Sequence, residues 1–365
     1  MDDEPYRAAQ VIQIANETMA RREFIGRAVL SVGALSASKA AWSADRGVAA
    51  SEPFIQTVLG PIPASKLGRA LVHEHVMCDF IGAEQTGRHR WQVNAVVKRM
   101  QPVLVQLKER GFTGFFDCTP AYIGRDPRVL KKLAEATGLH IVTNTGYYGG
   151  AGDKFVPKHA YEETPGQLAD RWVREWNQGI EDTNVKPGFM KIGVDEAKGD
   201  PPKLSDIDEK IVRASARASK RTGLAVTCHT GGGPAGLVAT RLFIKEGGIP
   251  ARFIVAHSDG HGIHINQQVG ELGAWVSFDA ISRQPLEQHL KLVTAMLEKH
   301  ADRVLLSHDN GWYWVGQEKG GEVRDYSYIS DTLLPALRKN GVSEWVIRKL
   351  TVANPASAFA IQRRS

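Results

Sequence analysis

Eight short apolar runs, rich in Val, Ile and Phe, recur between longer amphipathic segments from residue 70 to residue 309. They read ALVHEHV (70–76), GFFDCT (114–119), IVTNTGY (141–147), GFMKIGV (188–194), AVTCHT (225–230), FIVAHSD (253–259), WVSFDAI (275–281) and RVLLSHD (303–309). Between them lie helical patterns such as DPRVLKKLAEATG and DIDEKIVRASARASKRTG. Strands that alternate with helices imply parallel pairing, because a parallel neighbour needs a crossover helix. Eight such units in about 250 residues match the size of a (β/α)8 barrel. An open doubly wound sheet competes with it. The barrel is preferred because polar residues stand at the C-terminal ends of many runs, and in a barrel those ends meet at one mouth. Gly111, Gly138, Gly223 and Gly248 would close helices as left-handed caps. PFIQTVLGPI predicts a small strand pair at the barrel's bottom or side, and VSEWVIRKLTVANPASAFA a terminal helix.

The chain has material for one large core: 365 residues, 42% hydrophobic and 24% charged. No Pro/Ser linker interrupts residues 51–365, which are expected to form a single barrel domain. A net charge of +6 without a dense Lys/Arg run argues against nucleic acid as a partner. Three cysteines, Cys78, Cys118 and Cys228, lie far apart without a CxxC spacing, so they read as small buried hydrophobes. Residues 1–50 read as an address. Arg21-Arg22 followed by a short Ala/Ser/Gly-rich apolar stretch resembles a twin-arginine export signal, which implies a periplasmic or exported protein. That stretch is too short to span a bilayer.

The first run carries His73 and His75. Residues i and i+2 of a strand share a face, so both imidazoles would address one point in space. Either histidine alone could be an ordinary edge-strand residue. Others fall at the same level of the barrel: Lys191 in the fourth run, His229 ending the fifth, His257 the sixth and Asp309 the eighth. Imidazoles and a carboxylate suit a borderline divalent metal. The lysine suits it only if its amine has reacted with carbon dioxide. The resulting carbamate is a carboxylate-like bridge, able to hold two ions about 3.5–4 Å apart. Glu74 and His308 alternate with these residues and should face the helices. His89, His261 and His264 read as solvated loop residues.

The ordered set HxH, Lys, His, His, Asp resembles that of the phosphotriesterase family of the amidohydrolase superfamily. The likeness extends over most of residues 55–362, through QTVLGPI with LVHEHV, GIEDTNVKPGFMKIG and LTVANPASAF. The resemblance implies that His73, His75 and Asp309 hold a buried metal and His229 and His257 an exposed one. Carboxylated Lys191 would bridge them together with a hydroxide. Zinc is the default ion from ligand type. The implied catalytic residues are Asp309, as general base, and Lys191. The implied reaction is hydrolysis of a lactone, carboxylic ester or phosphotriester, with a small-molecule substrate and dimerisation as in related barrels. Tyr148 stands where lactone-hydrolysing members also carry Tyr. Asp279, after the seventh run, and Trp312, in an aromatic loop with Tyr313 and Trp314, are the other expected substrate contacts. Where organophosphate hydrolases place an acid and a histidine, this chain has Gly260 and Ala280, with Asp259 and His261 as substitutes. Two alternatives stand beside the ester reading: an amidohydrolase, and a metal-containing binding protein without efficient turnover.

Overall fold

The runs become strands wherever they can bury both faces. The structure, a computed structural model, describes residues 52–362; the twin-arginine segment lies outside them. A hairpin opens the described chain, β1 (Phe54–Thr57) against β2 (Gly60–Pro63). Then follow β3 (Ala70–Cys78), β4 (Gly114–Asp117), β5 (His140–Val142), β6 (Asn144–Thr145), β7 (Phe189–Val194), β8 (Val226–Thr230), β9 (Phe253–Val255), β10 (Trp275–Phe278) and β11 (Val304–Leu306). All pairings among these are parallel, in the orders β3-β4-β5 and β6-β7-β8-β9-β10-β11. Only Thr143 separates β5 from β6. Across the other seam the Asp309 N–H donates to the His73 carbonyl at 3.0 Å, which closes the (β/α)8 barrel. One strand was not foreseen: β12 (Gly311–Trp314) runs parallel to the end of β3.

Helix boundaries follow local chemistry. Asp126 caps Pro127–Thr137 through the Arg128 N–H, and left-handed Gly138 ends it. Thr164 and Gln167 form a capping box at the head of Pro165–Gln178. Ser205 caps Asp206–Thr222, and left-handed Gly223 closes it. The helix Ala235–Lys245 departs from expectation, because the left-handed glycine after it is Gly247 (φ 88°) and not Gly248.

Inward side chains of alternate residues fill the barrel. Ala70, Val72, Phe116, Val142, Phe189, Ile254 and Leu305 pack in one cluster with Ile55 of the hairpin and Phe359 of the terminal helix. Phe116 and Phe359 ring centroids stand 4.2 Å apart. The hairpin therefore plugs the bottom, one of the two places expected for it, and the last helix, whose position the sequence left open, joins it there. They are tied by paired backbone bonds between Phe54 and Ile361. Intervening residues such as Leu71, Phe115, Met190 and Val304 pack with the helices.

Strict alternation fails in two places, and both aim a histidine at the mouth. Val72 belongs to the interior cluster, so His73 would point outward. The pairing of β3 with β4 slips between Leu71 and Glu74, which face Phe115 and Asp117: three steps on one strand against two on the other. This bulge sends Val72 and His73 to the same side. At the end of β9, Ile254 faces inward and His257 again has the wrong parity. His257 adopts φ 58°, ψ 32°, a left-handed turn that swings its imidazole in. Strain of this kind in a non-glycine residue costs about 1–3 kcal/mol and is held by surrounding structure.

Candidate metal centre

Lys191 and His229 reach the mouth by alternation alone, from the middle of β7 and near the end of β8. The bulge delivers His73 and His75, and the left-handed turn delivers His257. Asp309 follows β11, also at positive φ (53°). The Lys191 amine lies 2.9 Å from His73 Nε2. Asp309 Oδ1 lies 2.8 Å from His75 Nε2 and 3.7 Å from His73 Nε2. The His257 ring stands 5.0 Å from that of His73 and 4.4 Å from that of His229. The six residues expected at one rim all line one cavity of about 760 Å³.

What holds these rings decides what they can bind. Asp279 is fully buried and accepts from His73 Nδ1 at 2.7 Å, His257 Nδ1 at 2.7 Å and the His257 N–H at 2.8 Å. Each Nδ1 then carries the proton, and each Nε2 presents a lone pair toward the cavity. Asp279 is itself fixed, because Asp259 Oδ2 accepts the Asp279 and Ala280 N–H groups. Asp279 was expected to touch substrate. It lies beneath the histidines with no exposed surface and does not line the cavity, so it orients the two imidazoles instead.

Thr119 does the same for His75, its Oγ1 lying 2.8 Å from Nδ1 and donating to Asp117 Oδ1 at 3.2 Å. Glu74 and His308 point away from the cavity, as expected, and form a buried pair. Glu74 accepts from Ser307 Oγ, His308 Nδ1 and the N–H groups of His308 and Asn310 at 2.7–2.9 Å. His308 Nε2 accepts the Ile329 N–H. Asp309 sits between those two anchored backbone positions.

Electrostatics follow from burial. Burial, and then the Lys191 charge, lower the His73 pKa to about 4. Burial and the neighbouring His257 hold His229 well below the ordinary range. Both rings are therefore neutral bases at pH 7. Burial works to raise Asp309, but the hydrogen bond from His75 and the surrounding imidazoles outweigh it and hold the carboxyl well below its usual range. A neutral imidazole and an ionised carboxylate are the forms a divalent cation requires. The 2.8 Å contact of His75 Nε2 with Asp309 Oδ1 needs a shared cation between two acceptors, a proton or a metal, and His73 Nε2 faces the same oxygen at 3.7 Å, so the residues fit a metal ion. The donor atoms of His73, His75 and Asp309 lie within 4.8 Å of one another. Those of His73, His257 and Asp279 do too, but both Asp279 oxygens are already engaged.

Tyr148 lines the cavity beside His229 (centroids 4.7 Å) and Phe155 (5.9 Å). Burial holds its phenol protonated, well above the ordinary range. Gly193 makes room for it, since a Cβ there would stand 2.8 Å from Tyr148 Cδ2. Trp312 also lines the cavity, 5.6 Å from the His75 ring. Its neighbours do not: Trp314 is 41% exposed, and Tyr313 packs against the helix-side core. His89 and His264 are exposed as expected, whereas His261 is 6% exposed, with Nε2 2.8 Å from Thr230 Oγ1. A tight turn after His257 folds His261 back under the mouth. Gly260 and Ala280 both line the cavity. Among the described residues, no helix is long and apolar enough to cross a membrane.

The comparisons agree with this geometry. The sequence matches the phosphotriesterase family over residues 53–359. A phosphotriesterase homology protein of Mycobacterium tuberculosis is 30% identical over 330 residues, covering 85% of this chain and 98% of the relative. N-acetyltaurine hydrolase of Rattus norvegicus is 26% identical, covering 82% and 96%. A mutant PTE-like lactonase of Deinococcus radiodurans superposes with a TM-score of 0.74 at 29% identity, covering 84% and 99%. This chain belongs to the phosphotriesterase family.

Proposed function

We propose that the protein is a binuclear metal-dependent hydrolase of lactones or carboxylic esters, with phosphotriesters as secondary substrates. The observation that carries this reading is the convergence of His73, His75, His257 and Asp309 on Lys191 at the floor of one cavity, with Asp279 setting two histidine tautomers. His73, His75 and Asp309 would hold one ion, His229 and His257 the other, and a carbamate on Lys191 would bridge them. Two divalent ions there would acidify a bound water and polarise the substrate's C=O or P=O oxygen.

The chain supplies the rest. Asp279 keeps the imidazole lone pairs aimed. Asp309, at the cavity floor, accepts the proton lost by the attacking water. The protonated Tyr148 phenol stands over His229 as a hydrogen-bond donor to a carbonyl or leaving oxygen. Phe80, Tyr148, Phe155 and Trp312 wall the cavity and favour an apolar substrate body. Gly260 and Ala280 leave proton removal beyond Asp309 to Asp259 or His261. Zinc is the proposed ion. The Arg21-Arg22 segment is proposed to direct export, which cell fractionation with N-terminal sequencing tests, and a dimer is the proposed assembly, tested by light scattering.

The test is a substrate panel on chelator-treated and zinc-restored protein. Lactone or aryl-ester turnover that vanishes and returns with metal is expected. Turnover indifferent to the chelator refutes the proposal. A second reading, amide hydrolysis, draws on the similarity to N-acetyltaurine hydrolase. N-acyl substrates in the same panel decide it, and turnover of amides alone would replace the ester reading.

A further inference from the structure

The cavity wall beside Trp312 carries more positive charge than its carboxylates can balance. Trp312 holds φ 48°, and two guanidinium groups approach its indole: Arg324 Cζ lies 4.1 Å from the ring centroid and Arg283 Cζ 5.9 Å. Arg324 Nη2 is buried with no hydrogen-bond partner, and none of the ion pairs among the described residues involves Arg324. Burial, and then the Arg283 charge, push Arg324 below its ordinary pKa. Like charges are thus held close together at one aromatic ring.

Arg283 lines the cavity and among the described residues has a single ionic partner, Asp309, with Nη1 2.9 Å from Oδ2. Its Nη2 donates to the Asp309 carbonyl. Across the cavity Lys154 adds a third cation, 5.6 Å from the Phe155 ring. The other carboxylate in the wall, Asp259, turns Oδ2 to the backbone N–H groups of Asp279 and Ala280 and Oδ1 toward buried His289, and pairs with neither arginine. On the reading proposed above, Asp309 gives Oδ1 to a metal and keeps only Oδ2 for Arg283. One carboxylate shared in this way does not balance Arg283 in the wall together with Arg324 behind Trp312, which has no ionic partner among the described residues. Guanidinium groups bind the two or three oxygens of a carboxylate or sulfonate in forked geometry.

We infer that the substrate carries a carboxylate or sulfonate group, seated by Arg283 and Arg324 beside Trp312, while its reacting carbonyl faces the histidines. This rests on the proposed hydrolase reading and narrows it to anionic substrates.

The test compares a γ-lactone bearing a ring carboxylate with its primary amide, on the metal-loaded enzyme. The readout is the ratio of the two kcat/KM values. The wild-type ratio is expected to favour the carboxylate at least about tenfold, as charge-assisted bonds do. Arg283→Gln and Arg324→Gln should each lower that ratio at least about fivefold. A purely structural role would lower both rates together and preserve the ratio. A wild-type ratio near one, or a ratio kept by both variants, overturns the inference.

If neither lactone is turned over, the ester reading fails and calorimetry judges the anion site separately. Benzenesulfonate, a poor metal ligand, should bind the metal-loaded protein at least about tenfold tighter than phenyl methyl sulfone, and Arg324→Gln should remove that preference. Equal binding of the two probes, or a preference that survives Arg324→Gln, overturns the anion site.

Discussion

Asp279→Asn isolates what aims the metal ligands. In the wild type one carboxylate accepts from His73 Nδ1 and His257 Nδ1, both at 2.7 Å, and from the His257 N–H at 2.8 Å. An asparagine of the same shape keeps one oxygen. Its amide must then face one of the two Nδ1 atoms as a donor. That ring has to move its proton to Nε2, which turns a lone pair aimed at the cavity into an N–H. The cost is one charge-assisted hydrogen bond, about 1.5–3 kcal/mol. At 1.4 kcal/mol per tenfold this is a loss of about 10- to 100-fold, which agrees with the usual effect of removing a partner of a metal-bound histidine. The assay is zinc affinity by competition with a chromophoric chelator, alongside circular dichroism to confirm folding. Affinity should fall by that factor, with the weakened ion at the site of whichever ring was turned. Wild-type affinity in a folded Asp279→Asn protein would refute the tautomer argument. Asp259→Asn serves as the comparison, because Asp259 touches neither His73 nor His257 and bonds the backbone N–H groups of Asp279 and Ala280 through Oδ2, so its variant should lose less.

Further outcomes are expected elsewhere. Lys191→Ala should lose metal and turnover together, with partial rescue by added short-chain carboxylates; full occupancy and rate in that variant would exclude a bridging carbamate. Glu74→Ala leaves Ser307, His308 and Asn310 donors unpaired in a fully buried site, and should destabilise the fold by about 3–5 kcal/mol in urea titrations. Asp208, on the helix Asp206–Thr222, has its pKa raised by burial to about 7, above the ordinary carboxyl value, so the folded state holds a proton that the unfolded chain has released. Its contribution to stability is greatest at low pH and is lost as pH rises from the ordinary value through about 7. Asp208→Asn should therefore gain stability relative to wild type at pH 8 and match it at pH 4, measured by thermal melts. Gly193→Ala should push Tyr148 from its place and raise KM more than it lowers metal content.

Much of the barrel was legible because it depends on local rules: an apolar run, a helix pattern, a cap. Lys191 and His229 were legible for the same reason, since plain alternation carries them inward. His73 and His257 reach the mouth as expected, but the physics that points them is hidden in the sequence. The bulge in β3 shows only when Leu71 and Glu74 are set against Phe115 and Asp117, and the left-handed turn at His257 is held by the Asp279 carboxylate. Asp279 itself was misplaced because sequence marks a strand-end acid without showing what lies above it. Thr119 had no signal apart from its position after GFFDC. His261 looked solvated because a glycine-flanked segment reads as a loop, yet the turn after His257 buries it against Thr230. Arg283 and Arg324 lie 41 positions apart and meet only around Trp312, so no spacing could reveal them.

The most direct measurement of the central claim is diffraction from zinc-loaded crystals at the zinc absorption edge. Two anomalous peaks are predicted in each chain, about 3.5–4 Å apart, one against His73, His75 and Asp309 and one against His229 and His257, with density for a carbamate on Lys191 between them. Peaks on other surfaces of the molecule, or none at the mouth of the barrel in protein that still hydrolyses its substrate, would contradict the account.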